Sequence, residues 1–495
     1  FNNISWNEAI IKLHKPENIG KYKSDFYERL AYDEIFAFFL VHSEIRKKIK
    51  KIKKQKKTFN LEFQENLISK LNFKLTNDQK VAINEINQDL KSNNKMFRLL
   101  QGDVGSGKTI VSLIAALNVI KSGFQVSVMA PTEILARQHY NLAKKIFDGE
   151  INTEILSSKS EYKHKKIILK ELKESKIDLL FGTHAIFQKG VNFKKLGLII
   201  IDEQHKFGVN QRKKLSDKGG NNCDVLLMSA TPIPRTLTMT IYGDMDLSII
   251  REKPKSRIEV KTYSKLESKI NDVVNFIQNE IKEGNQIFWV CPLIEESKKL
   301  DHTSAIKKYE YLKKIFPNQV GLLHGKTEID EKDLILNKFL KKKYKILVST
   351  TIIEVGIDFP NANVIIIENA NKFGLSQLHQ LRGRVGRGNK QSTCILMFKN
   401  SLTENAKKRI NILKKSTDGF EISEEDMKLR GFGDILGFKQ SGIKPFRLAD
   451  PIQNNNLFEL AESEIKKIEI NKKDISKYRT LMKLYDQAEI INDIV

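Results

Sequence analysis

Ten short apolar runs, none broken by regular polar alternation, constrain the fold of this chain more than any other feature. Five come early: "MFRLL", "QVSVMA", "IDLLF", "LGLIII" and "DVLLMS". Five follow a charged, proline-containing stretch around "REKPKSR": "QIFWVC", "QVGLLH", "YKILVS", "NVIIIE" and "TCILMF". A strand wetted on one face alternates apolar with polar residues. A run without that alternation suits a parallel strand covered on both faces. Helical stretches separate the runs, so the pattern predicts an α/β fold with two tandem doubly wound domains. A chain of 495 residues is also too long for a single core.

The ends read differently. "ERLAYDEIFAFFLVHSEIRKKIKKIKKQKK" has apolar residues at three- and four-residue spacing and closes in a lysine run. That run reads as a solvated helix end or linker, with a nucleic-acid contact as the alternative. Residues 1–70 are therefore assigned to a helical linker, 71–255 to the first domain and 256–415 to the second. Residues 416–495 form a small C-terminal element of a glycine-rich loop and helices.

"LLQGDVGSGKT" reads as a strand, a glycine loop and a helix start, and Gly102–Thr109 fits G-x-x-x-x-G-K-[ST]. Small residues at Gly102, Gly105, Ser106 and Gly107 let backbone N–H groups turn inward around phosphates at a helix N-terminus. Lys108 would reach the β- and γ-phosphates of ATP, and Thr109 would ligate Mg²⁺. "LIIIDEQH" ends a buried strand on an acidic pair: Asp202 suits a metal held through water, and Glu203 suits a base for the attacking water. "QLRGRVGRG" supplies Gln380, Arg384 and Arg387 from the second series. Departing phosphoryl charge calls for a permanently charged planar donor, so ATP is expected between the domains, with Arg387 foremost as the finger. A basic surface helix is the plainer reading.

The net charge of +25 comes from 85 Lys+Arg against 60 Asp+Glu. It implies a polyanionic partner such as nucleic acid, or a drift toward Lys, Asn and Ile. Arginine is scarce, with fifteen in the chain, and three of them fall within "RGRVGR". No apolar run approaches the roughly 20 residues that span a bilayer, so no membrane association is expected. Three scattered cysteines show no metal-ligand spacing and fit a reducing, cytoplasmic setting. The start at Phe1, not Met, leads us to expect a fragment, and separately a monomer is expected.

Taken in order, "LTNDQ", "GDVGSGKT", "APTEILARQ", "GTHAIFQ", "DEQHKFGV", "SATPIPRT", "STTIIEVGIDFPNA" and "QLRGRVGRG" resemble superfamily-2 helicases. "DEQHKFGVNQR" and "SATPIPRTLTMTIYGDMDLSII" bring the chain nearer the RecG family of branch-migrating DNA helicases. The resemblance covers essentially the whole chain. It implies two RecA-like P-loop NTPase domains that use ATP and Mg²⁺ to move on duplex DNA, forks and branched junctions in replication-fork reversal and recombinational repair. By the same resemblance Gln79 would read adenine with Phe73 against the ring, and Gly356 and Asp358 would face the nucleotide. Ser229 to Thr231 would couple hydrolysis to domain movement. Thr132, Thr183 and His184 would lie near DNA, or serve as ordinary polar loop groups.

"LRGFGDILGFKQSG", Leu429 to Gly442, places four glycines in fourteen residues, a density poorly suited to a purely structural tail. It resembles the stretch by which RecG proteins couple ATP cycling to translocation, with Arg430 and Gln440 kept. Phe432, Asp434, Phe438 and Lys439 depart from it, and a lysine does not reproduce bidentate arginine geometry. The N-terminal wedge domain of that family has no counterpart before Asn7. Two other readings stand beside this one: a transcription-repair coupling translocase, and a passive DNA-binding scaffold with a dead nucleotide site.

Overall fold

The computed structural model describes residues 4–15, 24–157, 162–188, 190–203, 220–232, 234, 238, 243, 245–254, 258–292, 300–325, 327–350, 359–386, 388, 390–399, 402–430, 446–471 and 475–485. Two parallel sheets organise it. The first holds β1 (Phe97–Gly102), β2 (Gln125–Met129), β3 (Thr153–Leu156), β4 (Leu179–Gly182), β5 (Leu196–Ile201), β6 (Asp224–Ser229) and β7 (Asp246–Ile250), in the order β3-β4-β2-β5-β6-β1-β7. The second holds β8 (Lys261–Leu266), β9 (Gln286–Val290), β10 (Val320–Leu323), β11 (Ile346–Ser349), β12 (Ala362–Ile367) and β13 (Thr393–Phe398), in the order β10-β11-β9-β12-β13-β8.

Alternate residues of one strand feed two separate cores, which is why the runs carry no polar face. In β5, Leu198 and Ile200 join a core with Leu100, Ile114 and Leu226, while Ile199 and Ile201 join Leu99, Val225 and Leu227 on the other side. In β9, Phe288 and Val290 face one layer, and Ile287 and Trp289 the other. Helices thus cover both faces of each sheet, the doubly wound arrangement the sequence predicts. Because β5, β6, β1 and β7 are neighbours and parallel, their carboxyl ends deliver Ile201, Ser229, Gly102 and Ile250 along one edge, the place where such sheets hold ligands.

The two ends of the chain share a third core. Phe38, Phe39 and Leu40 of the helix Asp25–Lys51 pack with Phe446, Phe458 and Ile465, the last two from the helix Asn455–Ile470. Buried Glu34 seals the join by accepting from the amides of Arg447, Leu448 and Ala449 at 2.6, 2.9 and 2.8 Å. The lysine run departs from its expected solvated state at two positions. Lys54 and Lys57 have fully buried side chains and both reach Asp224 Oδ2, each at 2.7 Å. Asp224 Oδ1 also accepts from Met96 N at 2.7 Å, so the strap after the first long helix is bolted to the start of β6. Among the described residues no helix is long and apolar enough to cross a membrane.

Candidate active site

β1 ends at Gly102, and the chain then wraps before entering the helix Lys108–Lys121. Gly105 and Gly107 take φ of +77° and +87°, a region costly for other residues. A Cβ at Gly107 would lie 2.2 Å from Gln79 Nε2, so the loop also needs glycine for closeness. Gln79 locks this corner: its Nε2 donates to Ser106 O at 2.7 Å, and its Oε1 accepts from Thr76 N at 2.9 Å in a capping box. Lys108 Nζ donates to Gly102 O at 2.7 Å and Asp103 O at 2.9 Å.

The acidic pair follows β5. Asp202 is buried, its Oδ2 lies 2.8 Å from His139 Nε2, and its Oδ1 accepts from Glu203 N at 2.9 Å. Burial opposes its charge, but His139, the Lys108 ammonium and the Glu203 amide together hold its carboxyl below the usual range. Glu203 takes a left-handed φ of 52°, unusual for a glutamate. Such backbone strain, on the order of 1–3 kcal/mol, is kept where surrounding contacts demand it.

Lys108, Thr109, Asp202 and Glu203 line one cavity of about 400 Å³, and Pro360 and Arg384 close it from the second sheet. Arg384 is 3 % exposed. Two further contacts cross between the sheets. Gln380 Nε2 donates to Thr231 Oγ1 at 2.9 Å, and His379 Nε2 lies 2.7 Å from Asp103 Oδ1. Burial opposes ionisation of Asp103, yet His379 and Lys253 hold its carboxyl well below the usual carboxylate range. Burial likewise pushes His379 down against the pull of Asp103, so at pH 7 the ring is neutral. Its Nε2–H then donates to Asp103 while Nδ1 accepts from Arg382 Nη2 at 2.9 Å.

Ser229 ends β6, and its hydroxyl donates to Thr231 O at 3.2 Å, beside the Gln380 contact. Phe73 is 40 % exposed and, like Gln79, is not among the residues lining the cavity. Thr132 caps the helix Glu133–Phe147 by accepting from Leu135 N at 3.3 Å, Thr183 precedes a short 3₁₀ turn, and His184 is exposed on that turn. Arg430 ends the helix Gly419–Arg430. Gly356, Asp358, Arg387, Lys439 and Gln440 lie outside the described residues. Sequence reasoning missed His139, Asp103, His379 and Lys253. His139 alone left a trace, sitting on the buried stripe of Leu135, Ala136 and Ala143.

Comparison with known proteins agrees in chain order. Family models match for a DEAD/DEAH box helicase over residues 76–240, a helicase conserved C-terminal domain over 268–389, and ATP-dependent DNA helicase RecG, domain 3, C-terminal, over 416–485. The ATP-dependent DNA helicase RecG of Aquifex aeolicus is 47 % identical over 490 residues, covering 96 % of this chain and 62 % of that protein. RecG of Bacillus subtilis is 45 % identical over 461 residues, covering 92 % of this chain and 67 % of its own length. A solved structure of RecG bound to a three-way DNA junction aligns with a TM-score of 0.73 at 43 % identity, over 88 % of this chain and 57 % of that one. The chain thus spans about three-fifths to two-thirds of these relatives.

Proposed function

Because the chain belongs to the RecG family of ATP-dependent DNA helicases, we propose that it is a motor that hydrolyses ATP between its two sheets to move along duplex DNA, at forks and branched junctions. The observation that carries this reading is Arg384, delivered by the second domain just past the helix Leu375–Arg382 onto a cavity where Lys108, Thr109, Asp202 and Glu203 come from the first. Catalytic groups divided between two bodies act together only when the bodies meet. Hydrolysis and domain movement are then one event.

In this reading the amides around Gly105 and Gly107 cradle the phosphates, and Lys108 turns from its loop carbonyls to the β/γ-phosphate oxygens. The donor set fits a magnesium ion, since such ions take one or two protein ligands plus substrate phosphates. Thr109 and the ionised Asp202 would hold it, and it would neutralise phosphate charge. His139 fixes Asp202 in place. Glu203 orients and deprotonates the attacking water, and Arg384 meets charge on the departing phosphoryl group. Gln380 and Thr231 report the state of the cleft across the domain boundary.

Replacing Glu203 with glutamine is expected to lower ATP turnover at least ~100-fold, the usual contribution of a positioned base, while nucleotide binding persists. Near-normal turnover would remove Glu203 from that role and would admit a different water-positioning group. The function itself is tested by ATPase rates measured without DNA, with single strand, with linear duplex and with a fork. A motor on duplex is stimulated most by duplex or fork. Rates indifferent to all four conditions would sink the reading.

A further inference from the structure

Asp103 fills a position that the G-x-x-x-x-G-K-[ST] pattern leaves open. Its side chain is nevertheless buried and reaches three elements outside the phosphate loop. Oδ1 meets His379 on the helix Leu375–Arg382 at 2.7 Å. Oδ2 takes Lys253 Nζ at 2.7 Å, from the segment joining the sheets, and that ammonium also donates to Thr417 O at 2.7 Å. The third element is the helix Gly419–Arg430. A Cβ built on Gly419 would lie 2.7 Å from Asp103 Cγ and 2.8 Å from His379 Nε2, so this close start requires glycine. A carboxylate at the first turn of a helix also meets the positive end of its dipole.

The same residue touches the nucleotide machinery from behind, since Asp103 O accepts from Lys108 Nζ at 2.9 Å and from Ser106 N at 3.1 Å. The far part of the helix is tied to the second domain. Asp426 Oδ2 accepts from Ser376 N at 3.2 Å and Ser376 Oγ at 2.6 Å. Arg382 fixes the approach to the helix by donating to Leu413 O at 2.6 Å and Ser416 O at 2.9 Å. The helix is about 18 Å long at 1.5 Å per residue, and Leu429, where the glycine-rich stretch begins, lies in its last turn.

We infer that Asp103 is a positioning residue that keys the second domain, and with it the helix Gly419–Arg430, to the phosphate loop. A shift of the loop around bound phosphate is thereby delivered to the segment that begins at Leu429. The inference rests on the motor function proposed above for its purpose, though not for its geometry.

The test uses spin labels on the full chain. Cys223, Cys291 and Cys394 are all buried, so labels can be directed to Lys145→Cys in the first domain and Lys428→Cys on the helix, both exposed positions. Without nucleotide, the parent pair should give a narrow distance distribution. Asp103→Asn and, independently, Gly419→Ala should broaden it, and Gly419→Ala should do so with its KM for ATP unchanged. Displacement of a duplex-bound obstacle per ATP hydrolysed should fall about tenfold in Gly419→Ala, within the range of ordinary coupling energies. A purely structural role lowers the melting temperature without moving the distance, and that result overturns the assignment. Distributions as narrow in both variants as in the parent, or a parent as broad as the variants, overturn it too. If the parent hydrolyses ATP but displaces no obstacle, the motor reading falls, while the distances still decide the role of Asp103.

Discussion

Replacing Arg384 with alanine is expected to cut ATP turnover on the order of 10³-fold, the effect of losing an arginine finger, while nucleotide still binds. Arg384 is the buried guanidinium that the second sheet contributes to the cavity of Lys108, Asp202 and Glu203. A permanently charged planar donor in a dry cleft stabilises developing phosphoryl charge far better than one in water. Lysine at this position should rescue little, because a point charge on a flexible stem does not reproduce the fork. Turnover and the affinity of a fluorescent nucleotide analogue, measured on the same variant, separate the outcomes. A parallel collapse of both would make Arg384 a ground-state ligand. The finger role would then return to Arg387, where sequence reasoning first put it.

Asp224→Asn should be the most damaging change far from the cavity, costing about 3–5 kcal/mol, as breaking a buried ion pair does. One carboxylate there answers two fully buried ammonium groups. Burial pushes the Lys54 pKa down, and Asp224 is the chief group opposing that shift. With Asp224 neutral, Lys54 and Lys57 face each other without a counter-charge, so the strap should release or Lys54 should shed its proton. Denaturant unfolding of the variant gives the loss. Pairing it with Lys57→Met should recover part of it, since the removed charges then balance. A variant as stable as the parent would show that the strap lets water in.

What could be read in the sequence followed burial on both faces. All ten apolar runs are strands in the structure, but β3, β7 and β8 went unread. Each lies at the edge of a sheet, and β8 alternates exposed and half-buried residues along "KTYSKL". At these three edges the unbroken apolar signal is missing because one side has little to cover the strand, whereas β10, also an edge, stays mostly buried and keeps it. The phosphate loop and acidic pair were legible because their chemistry is local. The His139–Asp202 and Asp103–His379 contacts were not, because their partners stand 63 and 276 positions apart. Lys54 and Lys57 misled for a related reason. A lysine run advertises solvent, and only the fold brings Asp224 beneath it.

The shared core of the chain's two ends has a consequence for synthesis. Ser43 donates to Glu469 at 2.6 Å across 426 positions of sequence. At ordinary translation speeds, roughly 20 to 85 s separate the emergence of these two residues from the ribosome. Throughout that wait Ile35, Phe38, Phe39 and Leu40 have no native partner from the helix Asn455–Ile470. The two sheets can fold as they emerge, each from nearby segments. The helix Asp25–Lys51 is made ahead of both and completed after both, so a chaperone that shields apolar helices would be needed most at this helix while the sheets are being made.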